Sequence, residues 1–317
     1  MNFPQKQTIE DVLKKHAIRP SKRLGQNFLI DKNVLQKIIE AAKLKPTDII
    51  LEIGPGLGIL TIELAKRVRK VIAVEKDRQL CTILKNILNA PNVKNVEIIE
   101  GDILKIESTF RLDRNESLTN YNYKIVANLP YYIVSPVMRK FLEAENPPQL
   151  LVLMVQKEVA QRIVANPPQM NLLAVAVQFY AQPKIISYVS KNSFWPRPKV
   201  DSAIIKIVPR KLSKDYSLRR TYRRPSGHGV PLRGTNEAEI EGSRLAGATD
   251  LILRANNSSI DTKLFFQLVK SGFSSKRKML KNNLKIEKSI LEKIGLDPKI
   301  RAENLSIEDW IKLSRVV

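Results

Sequence analysis

The chain has 317 residues, 43% of them hydrophobic, and a formal net charge of +23 from 54 Lys+Arg against 31 Asp+Glu. That apolar share is enough for a buried core, which excludes a disordered basic tail, and no apolar run approaches the roughly 18 residues of a membrane span. A single cysteine, Cys81, excludes a disulfide framework, and with two histidines beside it no metal site is expected. Residues 7–16 (QTIEDVLKKH) and 33–43 have the apolar spacing of helices, and the first residues lack the apolar stretch of a secretory signal. A cytoplasmic protein with no membrane partner is therefore expected. Between these helices runs the basic segment RPSKRLGQNFLID, whose aromatic, Phe28, reads as exposed. From residue 48 short β-rich runs alternate with helical ones: strands at 48–53, 70–75, 96–100, 123–130 and 150–155, helices at 57–68, 77–88, 156–165 and 171–180, and a closing hairpin at 184–189 and 201–208. That alternation predicts an α/β fold with a doubly wound, mostly parallel sheet over residues 1–210. Residues 211–261 carry 5 of the 12 glycines and show no sustained period, which predicts an inserted, disordered segment. Residues 262–317 are helical throughout and predict a smaller C-terminal α-helical domain.

The charge excess is uneven. Residues 1–45 hold 10 basic and 4 acidic side chains and residues 263–301 hold 11 and 3, whereas residues 46–209 hold 21 and 15. Basic flanks around a nearly balanced centre suit a catalytic body that grips a polyanion at its edges, and nucleic acid is the expected partner. Lys22 and Arg23 in the first flank, with Lys276, Arg277, Lys278 and Lys281 in the second, are the candidate phosphate contacts. Each run taken alone reads rather as a solvated face, and it is the two together that point to nucleic acid.

The sharpest motif is Leu51-Glu52-Ile53-Gly54-Pro55-Gly56-Leu57-Gly58, between a predicted strand and a predicted helix. Gly54 and Gly56 let the backbone turn tightly and approach a ligand where a Cβ would collide. Glu75 ends the next strand, where a carboxylate can accept from both hydroxyls of a ribose. A nicotinamide fingerprint, G-x-G-x-x-G, does not fit, because Ile59 stands where its third glycine belongs. The spacing E-x-G-x-G-x-G is similar to the first motif of S-adenosylmethionine-dependent methyltransferases, and Asp102 stands where those enzymes hold the cofactor's adenine. Taken alone the loop reads as a plain tight turn; with Glu75 and Asp102, each at a strand end, it reads as a cofactor pocket. After the fourth long strand come Asn128, Leu129, Pro130 and Tyr131. The Asn128 side-chain oxygen and the Leu129 carbonyl can accept the two hydrogens of an exocyclic amine, Pro130 stiffens the turn, and Tyr131 offers a stacking face.

Gly25-Gln26-Asn27-Phe28-Leu29, the LEIGPGLG loop, Glu75, Gly101-Asp102, NLPYY, VQKEVAQR, FWPRPKVDS and RAENLS together resemble the ribosomal RNA adenine N6,N6-dimethyltransferase family, in its bacterial small-subunit (16S) type. The resemblance covers roughly residues 8–210 and 262–317. It implies a Rossmann-like class I methyltransferase domain with a helical RNA-binding domain, S-adenosyl-L-methionine as methyl donor, and two adjacent adenosines near the 3′ end of 16S rRNA, within the small ribosomal subunit or its precursor, as substrate. Residue by residue it implies that Asn27, Leu29, Gly54, Gly56, Glu75, Asp102 and Asn128 hold the donor, that Tyr131 and Phe194 sandwich the flipped base, and that the enzyme acts as a monomer. Two other readings are a non-catalytic assembly or transcription-factor relative and a large-subunit enzyme conferring antibiotic resistance. The intact NLPY motif speaks against the first, and the FWPRPKVDS and RAENLS stretches against the second.

Overall fold

The computed structural model describes residues 6–89, 93–106, 111–113, 116–117, 122–210 and 260–317, and the chain divides into two compact units, Met1–Arg210 and Lys211–Val317. The insertion expected over 211–261 lies outside the described residues, except for Ile260 and Asp261.

The first unit begins with helix α1 (Lys6–Lys15), the two-residue strand β1 (Phe28–Leu29) and helix α2 (Lys32–Ala42). The repeating part follows as β2 (Ile49–Ile53), α3 (Ile59–Ala65), β3 (Lys70–Glu75), α4 (Arg78–Leu88) and β4 (Val96–Glu100). After a small ribbon of β5 (Arg111–Asp113) and β6 (Glu116–Ser117) come β7 (Tyr123–Asn128), α5 (Val134–Leu142), β8 (Leu150–Gln156), α6 (Lys157–Ile163) and α7 (Leu172–Tyr180). Strands β9 (Ala181–Val189), β10 (Phe194–Trp195) and β11 (Ser202–Pro209) complete the unit. Seven strands form one sheet in the order β4-β3-β2-β7-β8-β11-β9. The first five are mutually parallel, and β11 runs antiparallel to both its neighbours.

The sequence explains the sheet's interior. β2 (IILEI) is buried at every position and β8 (LLVLMVQ) at all but its last, as expected of parallel strands covered on both faces. Ile50, Val126, Val152, Met154 and Ile204 pack on one face against Val34, Leu35 and Ile38 of α2 and Leu60 and Leu64 of α3. Residues one position away, such as Leu51, Ile125 and Leu153, point to the other face. Asp31 and Asp77 start α2 and α4 by accepting hydrogen bonds from two backbone N–H groups each. Strand order reverses between β2 and β7, which lie side by side while the chain between them passes through β3 and β4. The C-terminal ends of β2 and β7 therefore border a crevice, the place where such sheets bind ligands.

The second unit contains α8 (Thr262–Gly272), α9 (Leu280–Leu284), α10 (Lys288–Lys293) and α11 (Ile307–Ser314). Asp261 caps α8, and Ser306 with Asp309 forms a capping box on α11. Phe265, Val269, Leu280, Leu291, Leu305 and Trp310 form its interior. A Cβ at Gly272 would come within 2.4 Å of the Trp310 ring, so the glycine permits the close approach of α8 and α11.

Candidate functional site

The cleft at the crevice encloses about 1130 Å³, part of it open solvent, and every residue proposed from sequence for the donor or the base borders it: Asn27, Leu29, Gly54, Gly56, Glu75, Asp102, Asn128, Leu129, Pro130, Tyr131 and Phe194. The glycine loop forms its floor. Gly54, Gly56 and Gly58 all have positive φ, at 69°, 59° and 78°, and a Cβ at Gly56 would stand 3.2 Å from the Phe28 ring. The Gly56 N–H donates to Glu75 Oε2 at 3.1 Å, so the loop and the end of β3 are tied together.

Glu75 is the buried carboxylate at that strand end. Its Oε1 accepts from the Asp77 N–H at 2.9 Å. Burial raises its pKa, and the backbone N–H groups of Asp77, Gly56 and Lys76 oppose the rise. A carboxylate oxygen accepts more than one hydrogen bond, so each Glu75 oxygen retains acceptor capacity. Asp102 has the opposite environment. Its Oδ2 pairs with Lys76 Nζ at 2.8 Å and its Oδ1 accepts from the Leu104 N–H at 3.0 Å. The Lys76 ammonium holds the Asp102 pKa below the usual carboxylate value, so this group is ionised. From α5, Lys140 Nζ donates to the Leu104 carbonyl at 3.5 Å and also to the Ile106 carbonyl, pinning the loop that carries Asp102.

At the end of β7 the Asn128 amide has a defined orientation. Its Nδ2 donates to the Asn27 backbone carbonyl at 3.1 Å, which leaves Oδ1 as the acceptor. The Leu129 N–H donates to the Met154 carbonyl of β8 at 3.2 Å, fixing the next peptide. Pro130 precedes a short 3₁₀ turn over Tyr131–Ile133. The Tyr131 hydroxyl lies 2.9 Å from Ser202 Oγ at the start of β11. Burial pushes the Tyr131 pKa up, with the Ser202 hydrogen bond opposing, so the phenol stays neutral at ordinary pH.

The N-terminal segment borders the same cleft. β1 pairs with β10 in the register Phe28 to Trp195 and Leu29 to Phe194, and Gln26 Nε2 donates to Asp77 Oδ2 at 2.7 Å. Here the expectation of an exposed Phe28 is overturned: it is 7% exposed and packs with Ile9, Leu13, Leu57, Leu80 and Ile83. The pairing with β10 turns the ring inward under the glycine loop, a contact that no local pattern around residue 28 encodes. Lys22 and Arg23 are exposed on the turn before Gly25, and the charge of Arg23 is felt by Lys76. Lys276, Arg277 and Lys278 are exposed between α8 and α9, and Lys281 is half-buried on α9 of the second unit.

The structure adds residues that sequence reasoning did not assign. Gln26 and Ser202 lie inside quoted motifs without a role, while Lys76 and Lys140 had no signal of their own. Glu52 opens the glycine motif, and it borders the cleft although only 1% exposed. Glu52 Oε2 has no hydrogen-bond partner among the described residues, nor does Thr61 Oγ1 nearby. Burial pushes the Glu52 carboxyl up to about 8, the neighbouring Thr61 hydroxyl lowering it and the Glu75 charge raising it further. Among the described residues no group of His, Cys, Asp and Glu is placed to hold a metal ion, and no helix is long and apolar enough to cross a membrane.

Comparison with known proteins agrees with this geometry. The family profile described as ribosomal RNA adenine dimethylase matches residues 18–222. The chain is 40% identical over 316 residues to a ribosomal RNA small subunit methyltransferase A of Dehalococcoides mccartyi, covering 97% of this chain and 91% of the relative. It is 36% identical to the protein of the same name from Alkaliphilus oremlandii, covering 95% and 93%. Among solved structures it is similar to a dimethyladenosine transferase from Plasmodium falciparum, with a TM-score of 0.63, 25% identity and coverage of 90% of this chain and 95% of that one. It shares its fold with the 23S rRNA methyltransferase ErmE, with a TM-score of 0.62, 23% identity and coverage of 92% and 99%. With a profile over more than half its length and relatives of this identity along nearly all of it, the chain belongs to the ribosomal RNA adenine dimethylase family.

Proposed function

We propose that the cleft transfers methyl groups from S-adenosyl-L-methionine to N6 of adenosines in small-subunit ribosomal RNA, two on each of two adjacent adenosines of a hairpin near the 3′ end of 16S rRNA. The enzyme acts in the cytoplasm as a monomer on the small subunit or its precursor. The observation that carries this reading is the Asn128 amide: with Nδ2 committed to the Asn27 carbonyl, its oxygen is the acceptor left for a substrate amine.

The residues present fit the donor. Gly56 leaves space where a Cβ would strike the Phe28 ring, Glu75 keeps acceptor capacity for a ribose diol, and Asp102 is an ionised acceptor for an exocyclic amine. Asn27 and Leu29 border the cleft from the N-terminal segment. When bound, the donor supplies an electrophilic methyl group on a cationic sulfur. Asn128 Oδ1 and the Leu129 carbonyl then accept the two N6 hydrogens, drawing the nitrogen lone pair out of conjugation with the ring and toward the methyl carbon. Tyr131 and Phe194, both bordering the cleft, hold the extruded base between them, and a base in an RNA loop is cheap to extrude. As the bond from N6 to the methyl carbon formed, the methyl's bond to sulfur would break with its electron pair left on a neutral thioether, and one N6 proton would pass to water. Tyr131 serves as a surface and not as a base, because its phenol is neutral and held on Ser202. The rate enhancement comes from positioning and electrostatics. Lys22 and Arg23, with Lys276, Arg277, Lys278 and Lys281 of the second unit, hold phosphates of the RNA.

The test is incubation of under-methylated small subunits with S-adenosylmethionine, followed by mass spectrometry of the RNA. The expected result is added methyl mass on adenine. Asn128→Ala should lower turnover by about 10²–10³-fold, the cost of losing one preorganised acceptor, while leaving subunit binding in place. No mass added by the unaltered chain overturns the reading.

A further inference from the structure

We propose that Tyr132 is a stacking platform for the nucleobase next to the adenosine being methylated, so that two neighbouring bases are held, one inside the cleft on Tyr131 and one at its mouth on Tyr132. This rests on the reading of the cleft given above and deepens it. It concerns a residue to which that reading gives no task.

Among the described residues no large hydrophobic residue is more exposed than Tyr132, at 53%, yet it borders the same cleft as Tyr131. Both lie on the 3₁₀ turn Tyr131–Ile133. With three residues per turn, successive side chains on it diverge by about 120°. The Tyr131 hydroxyl is held 2.9 Å from Ser202 Oγ, so the Tyr132 ring is turned away from that partner and open to solvent. It lies beside the N-terminal segment: a Cβ at Gly25 would stand 4.0 Å from Tyr132 Cδ1. The Gly25 N–H donates to the Lys22 carbonyl at 3.1 Å, closing a turn on which Lys22 and Arg23 are exposed. Lys76 borders the cleft on the same side and is exposed although it pairs with Asp102. Tyr132 and Arg23 both act on the Lys76 ammonium, which places the three close together.

An exposed aromatic face with Lys22, Arg23 and Lys76 around it matches the chemistry of single-stranded nucleic acid, a ring for a base and cations for the adjoining phosphates. An apolar protein partner suits it less, because the centres of protein interfaces are depleted of charge. Extruding an adenosine also takes a stacking partner from its neighbour. A ring at the mouth gives that neighbour a replacement face. Such stacking accepts any base, so one platform serves whichever nucleotide flanks the adenosine inside.

Methylation kinetics on under-methylated small subunits, with the full chain and its Tyr132→Ala, Tyr132→Leu and Tyr132→Phe variants, test the proposal. Thermal melting shows that each variant is folded, and calorimetry gives its affinity for S-adenosylmethionine. Ala and Leu should each lower kcat/KM for the subunit about tenfold, mainly through KM, with donor affinity unchanged. Phe should keep the full value, since stacking needs the ring and not the hydroxyl. If the Ala variant does not fold, the Leu and Phe pair decides by itself. A folded Y132A within twofold of the unaltered chain overturns the proposal, and so does a Leu variant as active as Phe. A parallel loss of donor affinity overturns it too, by assigning Tyr132 to the donor. In each of these outcomes the unaltered chain still methylates adenine. Its failure to do so overturns the reading of the cleft, and the platform with it.

Discussion

Glu52, Glu75 and Asp102 are three carboxyls along neighbouring strand ends, and each is held in a different state by what surrounds it. Lys76 keeps Asp102 ionised, backbone N–H groups steady Glu75 against its burial, and Glu52 has only the Thr61 hydroxyl against the loss of water, with the Glu75 charge adding to it. The last case makes a stability prediction apart from ligand binding. The Glu52 pKa in the folded chain, about 8, lies above the ordinary value of 4.5, so across that window the folded state keeps a proton that the unfolded state has lost. Stability from this group is fully present below about pH 4.5 and declines as pH rises to about 8. Glu52→Gln removes the decline. Its melting temperature relative to the unaltered chain should therefore increase across the window and stay flat above it, a difference on the order of a few kcal/mol. Differential scanning calorimetry from pH 4 to 9 checks it, and a pH-independent difference contradicts it.

At the scale of elements, the site depends on how the glycine loop meets its neighbours. Gly58 opens α3 with φ +78°, and a Cβ there would come within 2.4 Å of Leu84 Cδ1 on α4. Gly58→Ala meets both a backbone strain and an overpacked contact, which together should cost roughly 1–3 kcal/mol. Chemical denaturation measures that loss; an unchanged midpoint would show that α4 gives way freely. The elements' positions were largely legible in the sequence. KVIAVE and YKIVAN are apolar runs that end in a polar residue, IILEI is apolar but for Glu52, and LLAVAVQFY follows the capping residue Asn171. The helix expected over 57–68 is shorter in the structure, where α3 spans Ile59–Ala65; a positive-φ glycine at its start delays the helix. Phe28 is buried, against the expectation from its basic surroundings, because its exposure is set by pairing with Trp195, far away in the chain. The same limit hid Tyr131 to Ser202, 71 residues apart, and Asn128 to Asn27, 101 apart.

For the molecule as a whole, the +23 charge is the property on which the proposed RNA contact draws. Replacing Lys276, Arg277, Lys278 and Lys281 with neutral residues should weaken RNA binding and make it less salt-dependent. If all four touch phosphate, the slope of log K against log salt should fall by about 3 to 4, each contact contributing roughly 0.7–0.9. Binding of a 16S rRNA fragment across a salt series measures it, and an unchanged slope removes these side chains from the interface. The helical pattern of the tail and the clustering of its lysines are sequence properties, and so is the order of motifs along residues 25–202 that carries the resemblance.

The sequence by itself determined the alternation of strand and helix, the glycine loop and the NLPY turn, because hydrophobic period, turn chemistry and glycine placement act over a few residues. Only the tertiary structure decided which acid is neutral, which way the Asn128 amide points and which chain segment borders the cleft. Those outcomes are fixed by desolvation and by hydrogen-bond partners from distant strands, and neither quantity exists until the strands have taken their order in the sheet.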